Sequence, residues 1–247
     1  PRHYVREDIK RTIDMRKYSN LLVSLIKVGE NTVNRIRKKP CESWYSFGNN
    51  TYPKAQWLKL NNLWYFFDGN GYMAEGWTQI DGKWYYLNPS DGNMAEGWKA
   101  VNDKWYYLNP LDGNMAEGWK FINGKWYYFR PEKEGVYPEG SMFSKGWRVI
   151  AGYYYYFNQD GSVFTGWLKE NGKWYYLNVL DNSLQGAMFT GWIRRDEKTY
   201  YADSNGEMVE GWYEIDGAWY YFYPGSGEMA YNTEINGFHV DSDGVWR

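Results

Sequence analysis

The chain has 247 residues, of which 21% are aromatic, including 16 Trp and 26 Tyr, yet its mean hydropathy is only −0.77. Its net charge of −2 combines a basic start (11 Lys/Arg against 4 Asp/Glu in residues 1–40) with an acidic remainder (17 against 26). That balance excludes nucleic acid as a natural partner of the larger part, because duplex affinity rests on Lys and Arg neutralising phosphates. One cysteine, Cys41, leaves no intrachain disulfide, and no run reaches the about 18 apolar residues of a membrane span. So many rings in so hydrophilic a chain point to aromatic side chains on many small, half-open surfaces rather than one deep core. The chain opens on Pro1, which reads as a mature or trimmed product.

In residues 1–40, Val5, Ile9, Ile13, Met15, Tyr18, Leu22, Leu25 and Ile26 recur at largely helical spacing. They predict an amphipathic helix to about Val28, broken at Gly29. Asn31 or Thr32 is placed to cap a second short helix through Arg37, which Pro40 ends. This segment is either a cap on the open end of the larger downstream part or, given its basic flank RIRKKP, a helix for a protein partner or membrane surface. It is too short for an independent catalytic domain.

Residues 41–247 read as a second domain made of repeats. The unit is GWTQIDGKWYYLNPSDGNMAE at 76–96, which recurs at 97–117 and begins again at 118. A short strand, Asp81-Gly82 as a type I′ turn, and a return strand from Lys83 to Leu87 make a tight hairpin, followed by a loop. The turn slot is refilled by Asn61-Asn62, Asn102-Asp103, Asn123-Gly124, Ala151-Gly152, Asn171-Gly172, Asp196-Glu197 and Asp216-Gly217. The leading Trp falls at 57, 77, 98, 119, 147, 167, 192 and 212, so the extra residues of 130–141 and 178–186 lie in connecting loops. Trp44-Tyr45-Ser46-Phe47 reads as a worn half-repeat, and residues 232–246 as an atypical terminal hairpin. An isolated hairpin is marginal in water, so the expected architecture is an all-β solenoid of about eight stacked hairpins and a C-terminal cap.

Within most units the leading Trp and the Trp of WYY are seven residues apart, which makes them cross-strand neighbours on one face. Strand alternation puts Trp84 and Tyr86 on that face and turns Tyr85 inward with Leu87; the same reading assigns Tyr106, Tyr127, Tyr175 and Tyr220 to packing. Several rings around a gap, with no charged residue fixed among them, suit a quaternary ammonium. Such an ion offers no N–H to donate but is drawn to ring faces by about 0.5–2 kcal/mol per contact.

The pattern of GW, six residues, WYYL and DGxMAxGW resembles the choline-binding (cell-wall-binding) repeat of Gram-positive surface proteins, over about residues 41–247. The closing NTEINGFHVDSDGVW is similar to that family's C-terminal cap. The resemblance implies a left-handed β-hairpin solenoid with choline held between successive hairpins. Two Trp of one repeat, a Tyr of the next and often a Met would form each cage. Carried onto this chain, it names Trp57, Trp64, Met73 and Tyr86; Trp77, Trp84, Met94 and Tyr107; Trp98, Trp105, Met115 and Tyr128; Trp119 and Trp126; and Trp167, Trp174, Met188 and Tyr201. The insertion before Met142 is expected to disturb Tyr156 as a partner of Trp119 and Trp126. Trp147 pairs with Tyr154 rather than Trp, Trp192 meets Thr199 in a weak or empty site, and Trp212 with Trp219 lacks a following WYY to close on them. Four or five working cages are expected.

His3, His239 and Cys41 stand apart, so no metal-ligand spacing or nucleophilic triad is evident. The expected protein is a non-catalytic, cofactor-free, extracellular one, held non-covalently on the wall by phosphorylcholine of teichoic and lipoteichoic acids. Once docked it would modulate choline-anchored hydrolases or act as an adhesin. The alternatives are the targeting fragment of a wall hydrolase and a glucan-binding module.

Overall fold

The computed structural model describes residues 37–39, 42–44, 53–180 and 184–247, and every regular element among them is a strand. The elements pair strictly as neighbours in the chain: β1 (Arg37–Lys39) with β2 (Glu42–Trp44), β3 (Gln56–Leu60) with β4 (Leu63–Phe67), and β5 (Gly76–Ile80) with β6 (Lys83–Leu87). The series continues with β7 (Gly97–Val101) and β8 (Lys104–Leu108), β9 (Gly118–Ile122) and β10 (Lys125–Phe129), and β11 (Gly146–Ile150) and β12 (Tyr153–Phe157). It ends with β13 (Gly166–Glu170) and β14 (Lys173–Leu177), β15 (Gly191–Arg195) and β16 (Lys198–Ala202), β17 (Gly211–Ile215) and β18 (Ala218–Phe222), and β19 (Thr233–Ile235) and β20 (Phe238–Val240). The helix expected to Val28 lies outside the described residues. The second one does not reach Arg37, which is extended in β1 and paired with Trp44. The described residues fall into two compact units, those up to 99 with 107–115, and 100–106 with those from 116 on. None of their elements is a helix long and apolar enough to cross a membrane.

Turn chemistry builds each hairpin. Asp81 and Gly82 take φ of +49° and +77°, as a type I′ turn demands, and the other turn pairs named from the sequence repeat this. Asp196-Glu197 is the costly version: Glu197 holds φ +63°, where a Cβ is strained. Glu197→Gly is therefore expected to raise stability by about 0.5–1 kcal/mol, read from the thermal midpoint; a lowered midpoint would refute turn strain here.

Register then sorts the rings. Trp77 faces Tyr86 and Gln79 faces Trp84 on one side of the β5–β6 hairpin, while Gly76–Leu87 and Thr78–Tyr85 lie on the other. Hairpins stack with the first kind of face against the second: Trp57 of the β3–β4 hairpin meets Tyr85 edge-on at 4.9 Å. Beneath the rings, the last residue of the second strand (Phe67, Leu87, Leu108, Phe129, Phe157, Leu177 and Phe222) is at most 1% exposed. Within each unit such side chains lie in local buried clusters, which no single hairpin could close.

The loops stitch neighbours together. Met94 bridges Leu87 of its own hairpin, while its N–H donates to the Trp64 carbonyl of the preceding one at 2.7 Å. Met188 and Met208 do the same toward Tyr154 and Trp174, and Met229 toward Thr199. Each such methionine side chain also fills the space beside a glycine of the next loop. A Cβ on Gly113 would lie 2.1 Å from the Met94 sulfur, so only glycine, which here also has φ +73°, is accommodated.

Insertions leave this stitching intact. In the short loop the Asn88 N–H donates to Asn93 O and the Gly92 N–H to Asn88 O. In the longer ones the same closure is made by Arg130 with Ser141 and Gly140, and by Asn178 with Ala187 and Gly186. The buried Arg130 guanidinium fastens the first excursion, donating to Ser141 O, Ser141 Oγ, Met142 O and Glu134 Oε2. It also lies between the Tyr137 and Phe143 rings at 4.3 and 4.1 Å.

Ion pairs tie hairpin to loop as well. Asp160 accepts from the Ser162 hydroxyl and amide and from Lys125 Nζ, in that order of influence, and its carboxyl is held down to about 2. Depression below the unfolded value of about 3.9 makes the contribution whole above about pH 5 and lost as pH falls toward 2. Both Lys125 and Asp160 side chains are more than half exposed, so salt keeps the effect small. Asp160→Asn should lose less stability than the wild type on acidification from pH 5 to 2; parallel stability–pH curves would exclude this linkage.

Candidate ligand cages between stacked hairpins

Every leading Trp has a ring partner across its own hairpin. Trp57 meets Phe66 at 5.2 Å, Trp77 Tyr86 at 5.1 Å, Trp98 Tyr107 at 5.2 Å and Trp119 Tyr128 at 5.0 Å. Trp147 with Tyr156, Trp167 with Tyr176, Trp192 with Tyr201 and Trp212 with Tyr221 obey the same rule. The second Tyr of WYY, expected to reach back to the preceding repeat, therefore lies against the Trp of its own hairpin. Direct cross-strand pairing, Trp77↔Tyr86, is the reason.

The ring that arrives from the next hairpin is the first Tyr, the one expected to pack inward. Tyr85 meets Trp57 at 4.9 Å, Tyr155 meets Trp119 at 4.8 Å, Tyr175 meets Trp147 at 5.0 Å, Tyr200 meets Trp167 at 4.8 Å and Tyr220 meets Trp192 at 5.0 Å. Exposure does not sort the two kinds of Tyr: Tyr86 and Tyr176 are buried, but so are Tyr106 and Tyr155. The WYY Trp completes the group from the same face as the leading Trp, its diagonal neighbour; Trp119 and Trp126 lie 6.3 Å apart at 90°. In the first unit Trp57 meets Tyr85, and register sets Trp64 on the same face as Trp57. In the second Trp119 meets both Trp126 and Tyr155, while Tyr154 shares the face of Trp147, which meets Tyr175, and Trp174 that of Trp167, which meets Tyr200.

The loop methionines reach back to the WYY Trp through their backbone: Met94 is bonded to Trp64, Met115 to Trp84 and Met208 to Trp174. Met142 is bonded to Trp105, whose ring is 50% exposed. The insertion before Met142 leaves the contact to Trp119 in place, carried by Tyr155, because Arg130 closes that loop in register. A later insertion adds a contact: Gln185 Oε1 accepts from Trp126 Nε1 at 2.9 Å and fixes that indole.

At the C-terminal end the cap supplies rings that the WYY pattern does not announce. Phe238 and Trp246 approach Trp212 at 5.9 and 6.4 Å, and the Trp246 N–H donates to Trp219 O. The signal was in the chain: Asp243-Gly244-Val245-Trp246 repeats Asp91-Gly92-Asn93-Met94 with Trp in the methionine slot.

The hydroxyls of Tyr85, Tyr175 and Tyr200 are raised above the ordinary tyrosine value, first by burial; Asp112 adds to this at Tyr85 and Glu207 at Tyr175. They stay neutral phenols, and the rings attract a cation by their quadrupoles alone. Charge nevertheless stands beside the rings, contrary to the sequence expectation: Lys59 Nζ lies 5.5 Å from the Trp64 ring centroid, Lys169 Nζ 5.4 Å from that of Trp174 and Lys99 Nζ 5.0 Å from that of Tyr86, the partner of Trp77.

The family model for the choline-binding repeat matches residues 56–96, 95–137, 144–183 and 189–233. Among solved structures, CbpJ of Streptococcus pneumoniae is 31% identical, with 88% of this chain and 68% of that one covered and a TM-score of 0.63. Choline binding protein F of Streptococcus pneumoniae is 36% identical over 85% and 68%, with a TM-score of 0.62. The choline-binding domain of CbpL from Streptococcus pneumoniae is 30% identical over 77% and 96%, with a TM-score of 0.53. None of the curated proteins compared with the chain is similar to it. The matched segments coincide with the hairpins and stitching loops described above, and the chain belongs to the choline-binding repeat family.

Proposed function

We propose that the protein is a non-catalytic surface protein that holds phosphorylcholine of teichoic and lipoteichoic acids in its ring cages and so docks, from outside, on the bacterial wall. The observation that carries this reading is the group of Trp57, Trp64 and Tyr85, in which Trp57 and Tyr85 lie 4.9 Å apart. These are neutral ring faces from two stacked hairpins, suited to an ammonium that has no N–H to donate. Likeness to three pneumococcal choline-binding proteins supports it. After docking, the wall-bound array would compete with choline-anchored hydrolases for sites or present its loops as an adhesin.

Equilibrium dialysis with choline tests the cages. Trp84→Ala is expected to lower the bound stoichiometry. Thr199→Trp, which places an indole on the face where Trp192 and Tyr220 already meet at 5.0 Å, should raise it. Saturable binding of dextran with none of choline would overturn the proposal.

A further inference from the structure

The register sets one residue directly opposite the WYY Trp on the cage face, and this position varies: Lys59 faces Trp64, Gln79 faces Trp84, Phe121 faces Trp126, Lys169 faces Trp174 and Glu214 faces Trp219. It is exposed at all five. At Phe121 the ring leans on Trp126 at 5.2 Å; at Lys59 and Lys169 an ammonium stands over the indole at 5.5 and 5.4 Å. Lys125, Lys173 and Lys198 are held by Asp160, Glu207 and Glu228, whereas no such ion pair holds Lys59 or Lys169 among the described residues.

We infer that this position sets what each cage selects: Lys59 and Lys169 make their cages read the phosphate of a choline phosphoester, and Glu214 makes its own favour free choline. The inference rests on the choline reading of the cages. Neutral rings bind only the ammonium, so they cannot tell choline from its ester. In the ester only a two-carbon spacer separates the nitrogen from the phosphate oxygen, which brings the phosphate to the rim of the cage. A lysine at that rim pairs with the phosphate and repels a bare ammonium, so both effects favour the ester. A glutamate reverses both signs. The Gln79 cage carries neither charge at this position, and the Lys99 Nζ that stands 5.0 Å from its Tyr86 ring is held by Asn88 Oδ1 at 2.6 Å, so it is the internal reference.

Titrations followed through the indole N–H resonances of Trp64, Trp84, Trp174 and Trp219 resolve the cages. Choline is one ligand and phosphocholine the other. The ratio of choline Kd to phosphocholine Kd is expected to be up to about fivefold higher at Trp64 and Trp174 than at Trp84, the range of an exposed ion pair, and lowest at Trp219. Lys59→Gln and Lys169→Gln should bring the first two ratios to the Trp84 value, and Glu214→Gln should lift the last. Added salt should compress all the differences. Equal ratios at Trp64 and Trp84 in the wild type would overturn the inference. So would a Lys59→Gln change that tightens both ligands equally, because the lysine would then merely compete for the ring. Indole resonances that respond to neither ligand would instead remove the choline reading itself.

Discussion

Alanine in place of Phe157 is expected to cost about 3–5 kcal/mol of folding stability. The ring is fully buried in a cluster with Phe143, Ile150, Tyr155 and Ala187. It stacks on Trp119 at 6.2 Å and meets Phe143 edge-on at 5.6 Å, so truncation removes transfer energy and two aromatic pairs and leaves a cavity between hairpins. Because stability in a stacked array is roughly a sum of neighbour interfaces, the loss should also split the unfolding transition. Urea denaturation followed by far-UV and near-UV dichroism would show both effects, and Phe157→Leu should recover most of the stability. A cost below about 1 kcal/mol would mean that the hairpins do not share this core.

The second large effect concerns retention. On the proposed reading one cage offers a few ring contacts of about 0.5–2 kcal/mol each, so single sites would be weak and a polymer bearing many cholines would be held through effective concentration, worth about 10²–10⁴ in avidity. Trp64→Ala alone should weaken binding to a choline-bearing resin several-fold. Combining Trp64→Ala, Trp84→Ala and Trp174→Ala should weaken it by about 10² or more, with dichroism showing that the hairpins remain. A triple variant no weaker than the single one would mean that the cages do not act together.

Much of this fold is legible in the sequence because its rules are local. Asp81-Gly82 and Asn171-Gly172 announce their turns through the φ they can adopt, and alternation along WYYL assigns each ring to a face. What alternation leaves open is which face of the next hairpin arrives. The expectation chose Tyr86 over Tyr85, but Trp77 takes Tyr86 as its cross-strand partner, and only Tyr85 projects back toward Trp57. The backward reach of the loops is likewise not announced: a loop that bridges its own Leu87 also donates backward, to Trp64. Neither contact has a sequence period. The rings that close on Trp212 escape a search for WYY, because Trp246 occupies the methionine slot of DG-x-M. Lys59 and Lys169 were missed because cage residues were sought among rings, while register sets a variable residue opposite each indole.

The loop closure made by Asn88 with Gly92, by Arg130 with Gly140 and by Asn178 with Gly186 separates chain length from architecture. The residue after the hairpin and the glycine before the stitch meet in the same way in all three loops, so the segment between them is free to grow. This makes the loops natural points for grafting. A foreign peptide spliced between Asn88 and Gly92 would leave the hairpin intact, with Met94 still bonded to Trp64.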